Sequence, residues 1–232
     1  YNALAIQTTD GEYNTAVGNY TLDNNTIGDR NVALGYVALT ANSEGSKNTG
    51  IGTSSSKANT TGSQNTSVGN SSLYSNTLAS YNTAIGGRAL YNANRTADTD
   101  GYNTALGYNA GNTGTNDITT GNKNTLLGAS TAASAAAGTN QTVIGFGASG
   151  TADNSVTIGN SSVTAWYPGS DDTADLGSNS VEFKDLYIDG TANLDAVDID
   201  GGAIDGAAIG ANSASTGAFT TITASTSLDV TG

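Results

Sequence analysis

Asn82-Thr83-Ala84-Ile85-Gly86 lies in the middle of a chain that repeats it. The form is Asn-Thr-x-apolar-Gly. Upstream it stands at Asn65-Thr66-Ser67-Val68-Gly69, Asn48-Thr49-Gly50-Ile51-Gly52, Asn31-Val32-Ala33-Leu34-Gly35 and Asn14-Thr15-Ala16-Val17-Gly18, in steps of 17 residues. Downstream, two steps of 21 reach Asn103-Thr104-Ala105-Leu106-Gly107 and Asn124-Thr125-Leu126-Leu127-Gly128. A step of 17 then gives Gln141-Thr142-Val143-Ile144-Gly145, and one of 14 gives Ser155-Val156-Thr157-Ile158-Gly159. Self-similarity at a nearly fixed period marks a stacked architecture in which each repeat buries its apolar face on its neighbours.

Other positions keep the same beat. Five residues after the central aliphatic stands a second one, at Leu22, Leu39, Leu73 and Leu90, with Ser56 as the exception. Six residues before it stands a further glycine, at Gly11, Gly28, Gly45, Gly62, Gly121 and Gly138, replaced by Ala79 and Asp100 in two repeats. These spacings predict a coil with two short apolar-centred strands and two glycine corners. Gly18, Gly35, Gly52, Gly69, Gly86 and Gly107 are the expected turns, since glycine reaches positive φ at no steric cost. The extra residues of the longer steps, such as Arg95–Asp98, are expected to bulge outward from one face.

Composition supports an all-β repeat. Of 232 residues, 36% are hydrophobic and 31 are glycine. Asn, Thr and Gly favour turns and strands over helices. The chain has no His and no Cys, which removes the commonest general base, the thiolate nucleophile, and the usual ligands of zinc, copper and haem. No cofactor, metal or catalytic residue is expected. Carboxylate pairs are the remaining catalytic dyad, and Glu12, Glu44 and Glu182 stand apart along the chain. A net charge of −13 argues against a nucleic-acid partner. No apolar run approaches the length of a membrane span, so no membrane insertion is expected. The absence of an initiator Met is read as processing or as a piece of something longer.

Two aliphatic anchors per coil make a thin core for an isolated roll. Val17, Leu34, Ile51, Val68, Ile85, Leu106 and Leu127 are therefore expected to be structural core, facing inward in a parallel homotrimer that closes around its own axis.

The residues also carry a resemblance. Asn154-Ser155-Val156-Thr157-Ile158-Gly159 is similar to the repeat of trimeric autotransporter adhesin heads, and the resemblance implies a parallel β-roll. The 17-residue form, as in Tyr81-Asn82-Thr83-Ala84-Ile85-Gly86-Gly87-Arg88-Ala89-Leu90-Tyr91, resembles repeats of phage tail fibres. It covers roughly residues 11–160. What it implies is a trimeric, extracellular, non-enzymatic virion appendage that contacts a host-surface glycan or protein. A bacterial surface adhesin or filament is the alternative, and a polysaccharide-degrading spike a third.

Three regions are expected. Residues 1–160 form the repetitive β-roll. Residues 161–190 form a junction, with Trp166-Tyr167-Pro168-Gly169 and then a hairpin or strand pair from the alternation of Val181, Phe183, Leu186 and Ile188. Residues 191–232 form an acidic, thin shaft. Its Asp198-Ile199-Asp200-Gly201 starts like a calcium loop, but Ile209 stands where an EF-hand needs its bidentate Glu.

Two columns of side chains remain. Asn14, Asn31, Asn48, Asn65, Asn82, Asn103 and Asn124 read as a ladder of side-chain amides along the stack. The position before each Asn varies, through Tyr13, Arg30, Lys47, Gln64, Tyr81, Tyr102 and Lys123, and is expected to face solvent. Tyr13, Tyr81 and Tyr102 are the candidates for receptor or glycan contact.

Overall fold

In a strand of three residues the middle side chain points to one face and its two neighbours to the other. A computed structural model describes residues 3–4, 11–96, 100–167, 176, 178, 180–185 and 187–189, and among them it has nine such strands. They are β1 (Thr15–Val17), β2 (Val32–Leu34), β3 (Thr49–Ile51), β4 (Thr66–Val68), β5 (Thr83–Ile85), β6 (Thr104–Leu106), β7 (Thr125–Leu127), β8 (Thr142–Ile144) and β9 (Val156–Ile158). Each pairs in parallel with the next, in one sheet of order β1 to β9. The chain is thus an all-β solenoid of about eight turns. Register follows the repeat throughout: Val17 pairs with Leu34, Ile85 with Leu106, and Ile144 with Ile158. The steps of 21 and 14 residues leave it unbroken.

The interior is made by the middle residue. Ala33, Ser67, Ala84, Ala105, Leu126 and Val143 are buried, while Val17, Leu34, Ile85, Leu106 and Leu127 on the other face are 37–55% exposed. Ile51 and Val68 are half-buried. The bulky aliphatic row Val17 to Leu127, expected to face inward in a homotrimer, thus stands outside the coil of the single chain. The physical reason is room. A Cβ added at Gly50 would lie 3.0 Å from Leu39 Cγ, so the wall opposite the strand already fills the space.

That wall is the second aliphatic row, and Leu22, Leu39, Leu73 and Leu90 are fully buried. They do not lie in a second strand, which corrects the sequence expectation. Each has φ between 47 and 50° and sits in a turn. Their backbone bonds run coil to coil, as Leu22 N–H to Ala38 O at 3.1 Å and Leu73 N–H to Ala89 O at 2.9 Å.

The asparagine ladder is present. Asn48 donates its backbone N–H to Asn31 Oδ1 at 2.9 Å, Asn65 to Asn48 Oδ1 at 2.9 Å, and Asn82 to Asn65 Oδ1 at 2.9 Å. The side-chain amides of Asn31, Asn48 and Asn65 also donate to the following coil, as Asn31 Nδ2 to Gly45 O and Asn48 Nδ2 to Gly62 O, both at 2.8 Å. A second ladder runs beside it. Asn42 Nδ2 donates to Asn25 Oδ1, Asn59 Nδ2 to Asn42 Oδ1, and Asn76 Nδ2 to Asn59 Oδ1, at 2.7–2.9 Å. Ala93 follows at the next 17-residue step, and Asn76 Oδ1 is left buried without a partner.

The two glycine corners work differently. Gly18, Gly35, Gly52, Gly69, Gly86 and Gly107 have φ of 125–139°, where side chains are strained. At Gly62 the constraint is proximity: an added Cβ would lie 2.5 Å from both Ala79 O and Asn59 Oδ1. In the longer steps, residues 97–99 lie outside the described part, and Arg95 reaches back to the stack through Nη1 to Thr120 O at 2.7 Å.

The chain divides into units 1–168 and 169–232. In the second, the expected strand pair around Val181 and Phe183 is reduced, among the described residues, to one antiparallel bridge. Ser178 N–H donates to Val181 O at 2.9 Å, and Val181 N–H returns to Ser178 O at 3.1 Å. Leu186, the shaft 191–232 and its Asp198–Gly201 stretch lie outside the described residues.

Two stability tests follow from this geometry. Gly69→Ala should cost roughly 2–5 kcal/mol, because strained φ and a Cβ 2.6 Å from Gly86 C act together. Gly87→Ala meets nothing closer than Tyr108 Cδ2 at 3.4 Å and should change stability by less than about 1 kcal/mol. Urea denaturation compares them, and equal effects would contradict this coil path. Asn65→Ala removes an acceptor for Asn82 and a donor to Ala79 O, both buried. It should cost about 2–4 kcal/mol, read as a fall in the same denaturation midpoint.

Candidate interaction faces

A solenoid coil has one interior, so every side chain that does not enter it is displayed at the same height on each successive turn. Two displayed columns stand out. The first is the outward aliphatic row: Val17, Leu34, Ile51, Val68, Ile85, Leu106, Leu127, Ile144 and Ile158 pair strand to strand without a break. Eight steps of ~4.8 Å make a stripe about 38 Å long. Exposed aromatics accompany these strands, with Tyr36 at 53%, Tyr108 at 59% and Phe146 at 73%. Contiguous exposed apolar surface of this kind marks interaction sites in soluble proteins.

The second is the column before each ladder Asn. Tyr13, Arg30, Lys47, Gln64, Tyr81, Tyr102 and Lys123 are all exposed. All adopt the left-handed conformation, with φ of 48–63°. The three tyrosines proposed from sequence are not one cluster. Tyr81 and Tyr102 stack at 4.9 Å with an interplanar angle of 8°. Tyr13 lies four coils away, with the Arg30 guanidinium 5.4 Å from its ring centre. Tyr102 OH donates to Asp100 Oδ2 at 3.1 Å. That bond, ahead of local desolvation and the nearby negative charge, pushes the Tyr102 phenol above the ordinary tyrosine value.

Sequence reasoning passed over a third cluster. Tyr74 and Tyr91 stack at 4.8 Å, with Lys57 Nζ 5.5 Å from the first ring and Arg88 Cζ 4.9 Å from the second. The signal was the 17-residue spacing of Lys57, Tyr74 and Tyr91.

A cavity of about 310 Å3 is lined by Ser134, Ala135, Ala137, Gly138 and Asp153. Its one carboxylate is committed: Asp153 Oδ1 accepts Thr139 N–H at 2.8 Å and Gln141 Nε2 at 3.0 Å, and these bonds hold its pKa below the usual carboxylate range. Among the described residues no group of three or more acidic side chains is placed to hold a metal ion. No helix among them is long and apolar enough to cross a membrane. Compared with protein-family models, curated proteins and solved structures, the chain matches none.

The Tyr102 bond gives a titration test. Its hydrogen bond favours the neutral phenol, so the contribution is present below the ordinary tyrosine pKa and is lost as pH rises through the elevated one. Ultraviolet titration should show a late-titrating phenol that returns toward the ordinary value in Asp100→Asn; an unchanged curve in that variant would remove Asp100 as the cause.

Proposed function

We propose that this chain is a structural and adhesive segment of a trimeric extracellular fibre, of the kind found in phage tail fibres and comparable virion appendages. The supporting observation is the unbroken outward aliphatic row. It is too long and too apolar to be incidental, and it lies on the same face of every coil. A cyclic assembly with parallel coil axes brings the same row of each copy to the centre. Three-fold closure is favoured because three rows meeting on one axis leave none exposed, and because the repeat resembles that of trimeric fibres. Val17, Leu34, Ile85, Leu106 and Leu127 are 37–55% exposed in the single coil, so removing each from water supplies about half of the ~1.5–3 kcal/mol of a fully exposed aliphatic side chain. The acidic segment 191–232 is proposed to continue as a thin shaft.

The role is projection and adhesion rather than catalysis. The chain has no His or Cys, and a rigid coil that repeats one outward position along its length favours many weak contacts over one deep pocket.

Light scattering or native mass spectrometry should give three times the chain mass of 23.0 kDa. Val68→Asp together with Ile85→Asp should yield single chains that keep their β circular dichroism, because both side chains lie outside the coil. A wild-type protein that is a stable monomer would overturn the trimer. Purified trimer incubated with host-surface polysaccharide should leave its chain length unchanged, and shortened polysaccharide would overturn the non-catalytic reading.

A further inference from the structure

The column before the ladder Asn has a conformational cost that its residue types do nothing to lower. A left-handed φ disfavours ordinary L-residues, and Asn is among the few side chains that tolerate it. In the last two coils the column uses Asn140 and Asn154, with φ of 53 and 55°. In earlier coils it runs from Tyr13 to Lys123 through Tyr, Arg, Lys and Gln side chains, at φ of 48–63°. All of these are exposed, so burial does not offset the strain. Backbone strain that the fold does not use points to a contact outside it.

Charges along this line cancel rather than accumulate. Arg30, Lys47 and Lys123 stand in the column, while Glu12 and Asp29 directly precede Tyr13 and Arg30, and Glu44 and Asp100 lie just upstream of Lys47 and Tyr102. Three positive charges beside four negative ones favour neither a polyanion nor a polycation, and Gln64 and the three tyrosines are neutral. Among the described residues the one ion pair is Lys184–Asp185, so these cations and acids are not paired with each other. Asp29 Oδ1 accepts Glu12 N–H at 2.7 Å and Asp100 Oδ2 accepts the Tyr102 hydroxyl at 3.1 Å, but a carboxylate has about four acceptor sites. Donors and acceptors therefore stand side by side, as an uncharged hydroxyl, itself both donor and acceptor, requires. Tyr13, Tyr81 and Tyr102 are 71, 40 and 47% exposed and add rigid amphipathic rings. Successive coils set the column's side chains ~4.8 Å apart along the stack, a step close to the advance per sugar of an extended pyranose chain.

We infer that this column is a rail for a neutral, extended polysaccharide laid along the stack of coils. Tyr13 and the Tyr81–Tyr102 pair meet the C–H faces of its sugars. Between them Arg30, Lys47 and Gln64, with the flanking carboxylates, meet its hydroxyls. The inference deepens the adhesive reading above and rests on it. Each contact is weak, and repetition along one ligand chain gives the avidity.

The test uses the full chain, with konjac glucomannan as a soluble, neutral, extended probe, and with flexible dextran and anionic polygalacturonate as controls. The wild type should bind glucomannan with an affinity that salt barely changes, because the ligand carries no charge to screen, and should bind neither control comparably. The combined variant Tyr13→Asn/Tyr81→Asn/Tyr102→Asn should weaken binding by about tenfold or more. It should keep its β circular dichroism and assembled mass, because Asn suits this backbone, so lost binding is not lost folding. Absent glucomannan binding, equal binding to either control, binding that salt abolishes, or undiminished binding in the variant would each overturn the rail. Assembled mass is read in the same samples: a trimer that ignores glucomannan defeats the rail and leaves the fibre role standing, whereas a monomer that binds it keeps the rail and defeats the trimer.

Discussion

The buried asparagines tie successive coils together from inside, beside backbone bonds that run coil to coil outside the strands, as Val37 N–H to Asn19 O at 2.9 Å and Leu39 N–H to Ser55 O at 3.0 Å. Each ladder Asn from Asn14 to Asn124 accepts a backbone N–H from the following coil, and Asn14, Asn31, Asn48, Asn65 and Asn124 also donate to a carbonyl 14 residues on, as Asn65 does with Asn82 and Ala79. A carboxamide can do both at once because it carries an acceptor and two donors on one short stem. Buried polar groups are costly unless paired, so once the Asn is inside, the coil must keep the spacing that satisfies it. That requirement explains how the 21-residue steps are tolerated. Asn103 and Asn124 still close on Asn82 and Asn103 at 3.2 and 3.1 Å, and the extra residues hang between fixed rungs. The second ladder has no such continuation, and its end at Ala93 is marked by the orphaned Asn76 Oδ1.

With carboxamides along one side, the remaining interior is narrow, and side-chain volume is shared between coils. A leucine in the turn of one coil is followed by a small residue in the next strand: Leu22 and Ala33, Leu39 and Gly50, Leu73 and Ala84, Leu90 and Ala105. At Gly111 the pattern inverts. The strand residue becomes Leu126, and Ile118 from the lengthened step enters the same space, both buried and within 4 Å of a Cβ added at Gly111. Ser56 and Ser67 use a third solution, a buried hydroxyl pair at 2.8 Å. Close packing penalises voids and overfilling alike, so the two positions must change together.

The period, the parallel register and the first ladder were legible because recurrence in sequence maps directly onto stacking in space. Facing was harder. Ala84 and Ile85 recur equally well, and size suggested that Ile85 would be inside; only the opposing leucine wall shows that the smaller residue fits there. The turn geometry of Leu22 and its equivalents was also hidden, since an aliphatic residue with positive φ contradicts local propensity and is set by burial. Asn25, Asn42, Asn59 and Asn76 also recur at a spacing of 17, but they lie outside the Asn-Thr-x-apolar-Gly motif and nothing local marks them as buried. Residues 191–232 have no comparable beat tied to a fixed turn, and composition alone says little about their path.

Each of the first five coils carries three left-handed positions besides its glycine, and the three columns differ in what offsets the strain. In the Leu22, Leu39, Leu73 and Leu90 column, complete burial of an aliphatic side chain outweighs a cost of roughly 1–2 kcal/mol. In the column of Tyr20, Val37, Ser54, Ser71, Arg88, Asn109, Ser130 and Gly147, residue choice is loose and drifts toward small or left-handed-tolerant types. The column of Tyr13, Arg30, Lys47, Gln64, Tyr81, Tyr102 and Lys123 has neither burial nor tolerance on its side. Stacking of Tyr81 on Tyr102 and of Arg30 on Tyr13 recovers about 0.5–1.5 kcal/mol per contact, and Lys47 and Lys123 recover nothing comparable. Strain at exposed, chemically expressive side chains is the pattern expected where a surface is kept for what it touches. The coil therefore separates its side chains by column: carboxamides and leucines inside for closure, an aliphatic row outside, and a line of Tyr, Arg, Lys and Gln side chains displayed to solvent.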